Sequence, residues 1–499
     1  MTYRLVIPLC LAAMLLTAQL GRSVADAAPA KAAKANPKLA EASNKKGEAL
    51  AKKGDFTGAI SEFSKAIQLN LKHVGAYNNR GQAYSEKDDY PRAIADFSKA
   101  IQLNPKRADL YYNRGAAYDG KGDFARGMAD FTKAVRISPK DAKFYIERGL
   151  AYSRRDDYER SFADFATAIE IDPKNPDAYY SRGNCYYYAK GDHDRAIADY
   201  SKAIEVSPTY IDAYILRGTV HQVRGDLDKA VADFNEAMKI DPKSTDPYLS
   251  RGNIYAEKGD LDRAIADYTT AIANDPKYAP SYSNRGSAYD NKGDFARAIA
   301  DLDKAIKLDP GYGEAYVTRG DVYLGKDNYS RAIADYTKAI SLDPEDSAAY
   351  SKRGAAHVMN DDNDRGLADY NMAIRLDPAN ALAYYLRSGI YIDKGETDRA
   401  IADLSKSIQI SPGYSKAYFQ RGMVYDEKGE YDRAIADFNK AIELDPKDAL
   451  PYIGRGKTYA QRSDFDLAIA DFNKAIEIDA DDPEPYSSRA IVWYQKKDY

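Results

Sequence analysis

Twelve aspartates stand at a fixed distance beyond an arginine: Asp96, Asp130, Asp164, Asp199, Asp233, Asp267, Asp301, Asp335, Asp369, Asp403, Asp437 and Asp471. The separation is sixteen residues, once seventeen. Carboxylates spaced so regularly could carry a ladder of cations, or each could pair with its own arginine. The start of the series separates the two readings. There Lys46 stands for the arginine and Glu62 for the aspartate, so both residue types change together while the charge signs persist. This predicts an ion pair joining two helices, and removing one partner of such a pair, if buried, costs about 3 to 5 kcal/mol.

Other chemistry is thinly provided for. The four histidines, His73, His193, His221 and His357, never fall at metal-ligand spacing, which argues against a zinc site of the helix or finger type. There is no Cys-x-x-Cys, no phosphate-cradling Gly-rich loop with Lys and Ser/Thr, and no Gly-x-Ser-x-Gly elbow. General acid-base work needs two carboxylates in unlike environments, whereas these recur at one structural place. The expectation is therefore no catalytic residue, no cofactor and no metal. With 72 Lys+Arg against 76 Asp+Glu, a net charge of -4 offers no basic field to nucleic acid.

The elements that position these residues repeat. Arg-Gly recurs from Arg80 to Arg353 at a spacing of 34, with one step of 35 between Arg182 and Arg217. Arg387, Arg421, Arg455 and Arg489 continue the series, followed by Gly or by the small substitutes Ser388 and Ala490. Within one unit Tyr77, Gly81 and Tyr84 stand at i, i+4 and i+7, and Ala93, Phe97 and Ala100 repeat that spacing. Each set is one face of a helix. Between the sets lies a turn such as Gly259-Asp260, where Gly suits a left-handed helix stop and Asp the next N-cap. A proline, such as Pro105 or Pro276, closes most units. Forty-three tyrosines against one tryptophan reflect one position used many times.

This pattern strongly resembles the tetratricopeptide repeat, a helix-turn-helix with an aromatic, Gly, Tyr, Ala, aromatic, Ala and Pro in that order. It departs at one place: the large apolar residue usual before the Gly is Arg in almost every unit. The resemblance implies an all-α fold, a right-handed superhelical solenoid of helical hairpins whose first helices line a concave groove. Thirteen units are expected over residues 40–482, with residues 483–499 forming the first helix of a further unit or a cap. The record stops halfway through a unit. Some family members grip a chaperone's C-terminal carboxylate with Lys, Asn and Arg on three first helices; the matching positions here hold Asn44, Glu48, Asn79 and Asn113, and only Asn79 fits. A chaperone-adaptor role is not expected.

Residues 1–27 read as a secretory signal: a basic start ending at Arg4, an apolar run from Leu5 to Leu20 and the exit Ala25-Asp26-Ala27. The sixteen-residue run contains Pro8 and is shorter than the roughly 20 residues that span a bilayer comfortably. Cleavage after Ala27, a periplasmic or secreted location and no stable membrane insertion are expected. Residues 28–39 read as a flexible Ala, Lys and Pro linker. Cleavage would remove Cys10 and leave Cys185 alone.

Positions that vary from unit to unit are free for a partner. Two residues before the arginine, two apolar stretches appear: Tyr112, Ile146, Tyr180, Ile215 and Leu249, then Tyr385, Phe419 and Ile453. They either pack against neighbouring helices or form an exposed stripe in the groove. Asp177, Asp212 and Asp246 accompany the first stretch and suit an apolar partner bearing Lys or Arg. The sequence thus reads as a non-catalytic scaffold for a protein or peptide. The alternative is the recognition arm of a larger, transferase-like enzyme whose catalytic domain lies beyond Tyr499.

Overall fold

The computed structural model describes residues 36–496, so the expected signal segment and most of the expected linker lie outside the described residues. Among these, every regular element is helical. Thirteen antiparallel hairpins follow one another from Pro37 to Ile478, and the helix Pro483–Lys496 comes last. The chain divides into two compact blocks, one ending at Val206 and the other starting at Ser207. The first helix begins at Pro37, where Asn36 accepts from the Leu39 N–H at 3.2 Å. Residues 37–39 are therefore helix rather than linker, because a capping Asn followed by Pro at the first position starts a helix.

The Arg251 hairpin shows how local sequence makes the unit. Its first helix, Asp246–Glu257, stops at Gly259, whose φ of +76° is open to glycine without steric cost. The Asp260 N–H returns to the Tyr255 carbonyl at 2.8 Å, and the Asp260 carboxylate accepts from the Arg263 N–H at 3.2 Å to cap the second helix, Leu261–Asn274. Where glycine is missing from this turn, Asp or, at Ser463, Ser takes the same left-handed conformation, as at Asp327 with φ +56°. Ala264, Asp267, Tyr268 and Ala271 form the buried stripe of the second helix. A Cβ on Gly252 would meet Tyr268 Cε1 at 2.6 Å, so glycine there lets the two axes close up.

The arginine accounts for the departure from the family pattern. In all twelve Arg–Asp pairs the Nε and Nη2 groups donate in parallel to the two carboxylate oxygens at 2.6–2.9 Å. The fork geometry of guanidinium matches a carboxylate in a way an ammonium does not. The aspartates are 5–8% exposed, yet both oxygens are satisfied. In many hairpins Nη1 also reaches the second helix of the preceding hairpin, as from Arg421 to Ser405 Oγ at 2.9 Å. Arg421 lies 5.8 Å from the ring centres of both Tyr418 and Tyr425, which uses the repeated tyrosines as cation–π walls. One side chain thus ties three helices. At the start of the chain Lys46 and Lys65 donate to Glu62 at 3.0 and 2.7 Å, as the exchange of both types predicts. Those hydrogen bonds, from Lys65 first and Lys46 second, hold the Glu62 carboxyl below its ordinary range.

Candidate partner-binding face

In the N-terminal block the first helices touch one another as well as their own second helices. Their shared face is partly polar. Asn79 donates to Asn44 at 3.2 Å and to Glu48 at 2.9 Å, and Asn113 donates to Asn78 at 2.8 Å. Above these bonds opens a concavity of about 500 Å³ lined by Glu48, Asn79, Gln82, Tyr112 and Asn113, among others. Of the residues compared with the chaperone clamp, Asn44, Glu48 and Asn79 are therefore engaged with one another, and Asn113 with Asn78. Tyr112 is half-buried there, 5.9 Å from Phe131 and 6.3 Å from Phe144, with the Lys143 ammonium 5.2 Å from its ring centre. Burial first, and the Glu147 charge second, push its phenol up.

Tyr180 is also half-buried, 6.0 Å from Tyr200, and Asp177 is exposed at the start of the same helix. Ile146 differs: at 6% exposure it is closed between hairpins with Phe165, Ala178 and Cys185. The 35-residue step falls here as a π turn, Cys185–Ala189, a feature frequent at functional sites. It brings Tyr187 to 4.6 Å from Tyr188 and 5.8 Å from His193, and leaves Tyr188 56% exposed. These aromatics were not among the expected partner residues, and the odd step length was the signal for them.

In the C-terminal block Asp212 and Ile215 lie on Ile211–Val223, and Asp246 and Leu249 on Asp246–Glu257. The Asp246 carboxyl is raised above its ordinary range, by loss of water around it first and by the Asp212 charge second. It remains open to solvent at its surface, so a concave wall rather than full enclosure explains the shift. Ile215 is half-buried. Leu249 is 8% exposed and packs with Tyr248, Tyr268 and Ala288 of the next hairpin. Tyr385 meets Tyr414 edge-on at 5.1 Å, Phe419 lies 6.0 Å from Phe438, and both are half-buried. Ile453 is 3% exposed beside Ile442 and Ile478.

Of the two alternatives for the apolar stretches, three members follow the packing one. Ile146, Leu249 and Ile453 are buried in clusters that include residues of an adjoining hairpin. They serve packing. The aromatics Tyr112, Tyr180, Tyr385 and Phe419, and Ile215, keep open surface.

A second set of first-helix residues escaped the sequence reading. Two positions beyond the arginine, Asn184, Asn253 and Asp321 accept from the hydroxyls of Tyr200, Tyr268 and Tyr336 at 2.7–2.8 Å. Asn253 also accepts from Asn284 at 3.1 Å, and Asp321 from Lys352, linking successive first helices. Their signal was the joint appearance of Tyr for Phe and of Asn or Asp about sixteen residues earlier. His221 and His357, at 9% and 7% exposure, line the core in the tyrosine position. Cys185 is a buried free thiol. Among the described residues no cluster of three metal-ligating side chains occurs, and no helix is long and apolar enough to cross a membrane.

Family models match along most of this array. Those described as tetratricopeptide repeat match residues 74–107, 279–312 and 415–448, residues 108–141, and residues 351–415. One described as TPR repeat matches 47–88, 154–187, 185–222, 224–259, 252–293, 320–361 and 456–497, over half of the chain by itself. No curated protein sequence matches. Among solved structures, the Cut9–Hcn1 hetero-tetramer of APC/C is 15% identical, with 91% of this chain and 96% of that chain covered and a TM-score of 0.48. Yeast Tom70 is 19% identical over 92% and 96%, with a TM-score of 0.42. MamA is 34% identical over 32% of this chain and 95% of its own, with a TM-score of 0.30.

Proposed function

The chain belongs to the tetratricopeptide-repeat family, and on that premise we propose that it is an exported, non-catalytic scaffold holding a protein or peptide segment along its first helices. One contrast carries the reading. The recurring carboxylates are consumed by their own arginines, whereas the varying first-helix positions present, in the first block, half-buried Tyr112 and Tyr180 with exposed Asp177 and, in the second, half-buried Ile215, Tyr385 and Phe419 with exposed Asp212 and Asp246. Aromatic side chains with part of their surface open supply contact area at little entropic cost, and a few such residues carry most of an interface's affinity. The acidic side chains favour a partner segment with Lys or Arg and quicken its encounter. Export is proposed on the basic start, apolar run and small-residue exit of residues 1–27.

Capture from the compartment outside the cytoplasm tests this. Tyr112→Ala and Tyr180→Ala each should weaken recovery of the partner by about tenfold or more, since a hot-spot truncation costs ~2 kcal/mol or more. The triple change Asp177→Asn, Asp212→Asn and Asp246→Asn should slow capture at low salt and match the parent at high salt. Equal recovery by all of these, with helicity unchanged, would remove the first-helix face from the reading.

A further inference from the structure

Within the C-terminal block, the first helices Ala381–Asp393 and Ser415–Glu427 lack a link that joins others of their kind. Elsewhere the residue just before the arginine reaches the residue two positions beyond the arginine of the preceding first helix, as from Asn284 to Asn253 at 3.1 Å and from Lys352 to Asp321. Here those two positions hold Gln420 and Gly389. The side-chain hydrogen bonds of Ser415–Glu427 belong to Ser415, Arg421 and Asp426, and among the described residues the half-buried Gln420 amide has no partner. A Cβ added to Gly389 would meet nothing within 4 Å, whereas at every other glycine beyond the first turn of a described helix it would meet an atom at 3.0 Å or less. Glycine inside a helix is less favourable than alanine, so the chain's own packing gives no reason for it here.

We propose that this cleft, resting on the first-helix reading above, takes an extended partner segment with an acidic residue at one end, a large apolar side chain in the middle and a basic residue at the other end. The vacancy over Gly389 admits the large side chain. By helix register, half-buried Tyr385 and Leu386 lie one turn before it, and half-buried Phe419 and exposed Met423 share the face of Gln420. The Gln420 amide offers one donor group and one acceptor, the complement of a backbone peptide group. An extended segment has such groups free, and a helix does not. The charges follow from the two ends of the cleft. Lys416 stands one turn before Gln420, while Asp393 and Glu427 stand one turn beyond Gly389 and Met423; all three are exposed. The ion pairs Arg387–Asp403, Lys394–Asp364, Arg421–Asp437 and Lys428–Asp398 use other side chains. From Lys416 to Glu427 the helix rises about 16 Å, which roughly five residues of extended chain cover.

The probe is the fluorescein-labelled peptide Gly-Glu-Ser-Phe-Ser-Lys-Gly with an amidated end, titrated with the full chain and read by anisotropy. Saturation is expected at protein concentrations below about 1 mM. Ala for the central Phe of the peptide, or Gly389→Leu in the chain, should weaken binding about tenfold or more, with helicity unchanged because the new side chain enters open space. Gln420→Leu should weaken it as well. A peptide with Lys at both charged positions should bind the parent about threefold or more weakly, and Lys416→Glu should reverse that preference. No saturation up to about 1 mM, or equal binding by the parent and Gly389→Leu, would overturn the proposal. So would self-association of the parent chain that Gly389→Leu abolishes, which would assign the cleft to a second copy. In capture of the natural partner, Gly389→Leu should reduce recovery. Recovery lowered by Tyr112→Ala and untouched by Gly389→Leu would remove this cleft and leave the first-helix reading standing.

Discussion

The Arg182 and Arg251 hairpins differ by one residue in length and agree in nearly every fixed contact. Arg182 donates to Asp199 at 2.8 Å through both nitrogens, and Arg251 to Asp267 at 2.8 and 2.6 Å. Tyr200 donates to Asn184 at 2.8 Å, and Tyr268 to Asn253 at 2.7 Å. With the bridge and the tyrosine bond clamping the two helices, the inserted residue cannot shift their register. It is absorbed as the π turn Cys185–Ala189, before Gly191 takes the left-handed turn that Gly259 takes in the regular hairpin. The same geometry that makes the array uniform therefore converts an insertion into exposed aromatic surface at Tyr188. Uniformity comes from the bridged residues, and individuality from positions the bridge leaves free.

Breaking the bridge should have the largest effect on this comparison. Asp267→Ala leaves the Arg251 guanidinium, with a side chain 23% exposed, without its carboxylate. We expect a loss of about 3 kcal/mol in the local stability of that hairpin, read from amide exchange because neighbouring hairpins of a repeat array unfold semi-independently. Asp199→Ala should cost at least as much, since the π turn also loses the contact that holds its register. A cost below about 1 kcal/mol for Asp267→Ala would reduce the bridge to an ordinary surface pair.

A smaller effect sharpens the comparison through pH. In the Arg217 hairpin, His221 takes the place held by Tyr186 and Tyr255 in the two hairpins compared above. Burial pushes its pKa below the ordinary 6.5, against the pull of Asp233 and with a lesser downward push from Lys229 and Arg217. Well above pH 6.5 the ring is neutral in both folded and unfolded chains, so it adds no pH dependence there. As pH falls below that value the unfolded chain takes up the proton first, and the hairpin loses stability until the folded ring is protonated as well. His221→Tyr should abolish this acid-side loss in the exchange of the Arg217 hairpin while leaving that of the Arg251 hairpin unchanged. An identical pH profile in parent and variant would contradict the burial assigned to the ring.

Much of this was legible in the sequence because it depends on contacts within one hairpin. The left-handed turn at Gly259, the cap at Asp260 and the paired exchange at Lys46 and Glu62 each follow from residues at fixed separation. The fate of the varying apolar positions was not legible, because it depends on the next hairpin as well. Ile146 is buried with Ala178 and Cys185 of the next hairpin, and Leu249 with Ala288, whereas Tyr112, Ile215 and Phe419 stay half-buried. Repeat spacing says nothing about which of these holds. The π turn was visible only as a step of 35, with no indication that the surplus would leave the helix as a bulge rather than lengthen the turn.

The central claim is that the scaffold binds through the varying face of its first helices. Hydroxyl-radical footprinting of the captured complex tests it most directly, because tyrosines occupy both sides of the array. The account predicts protection at Tyr112, Tyr180, Tyr385 and Phe419, with the second-helix tyrosines Tyr90, Tyr158, Tyr329 and Tyr431 oxidised as in the free protein. Protection confined to those second-helix tyrosines would contradict it.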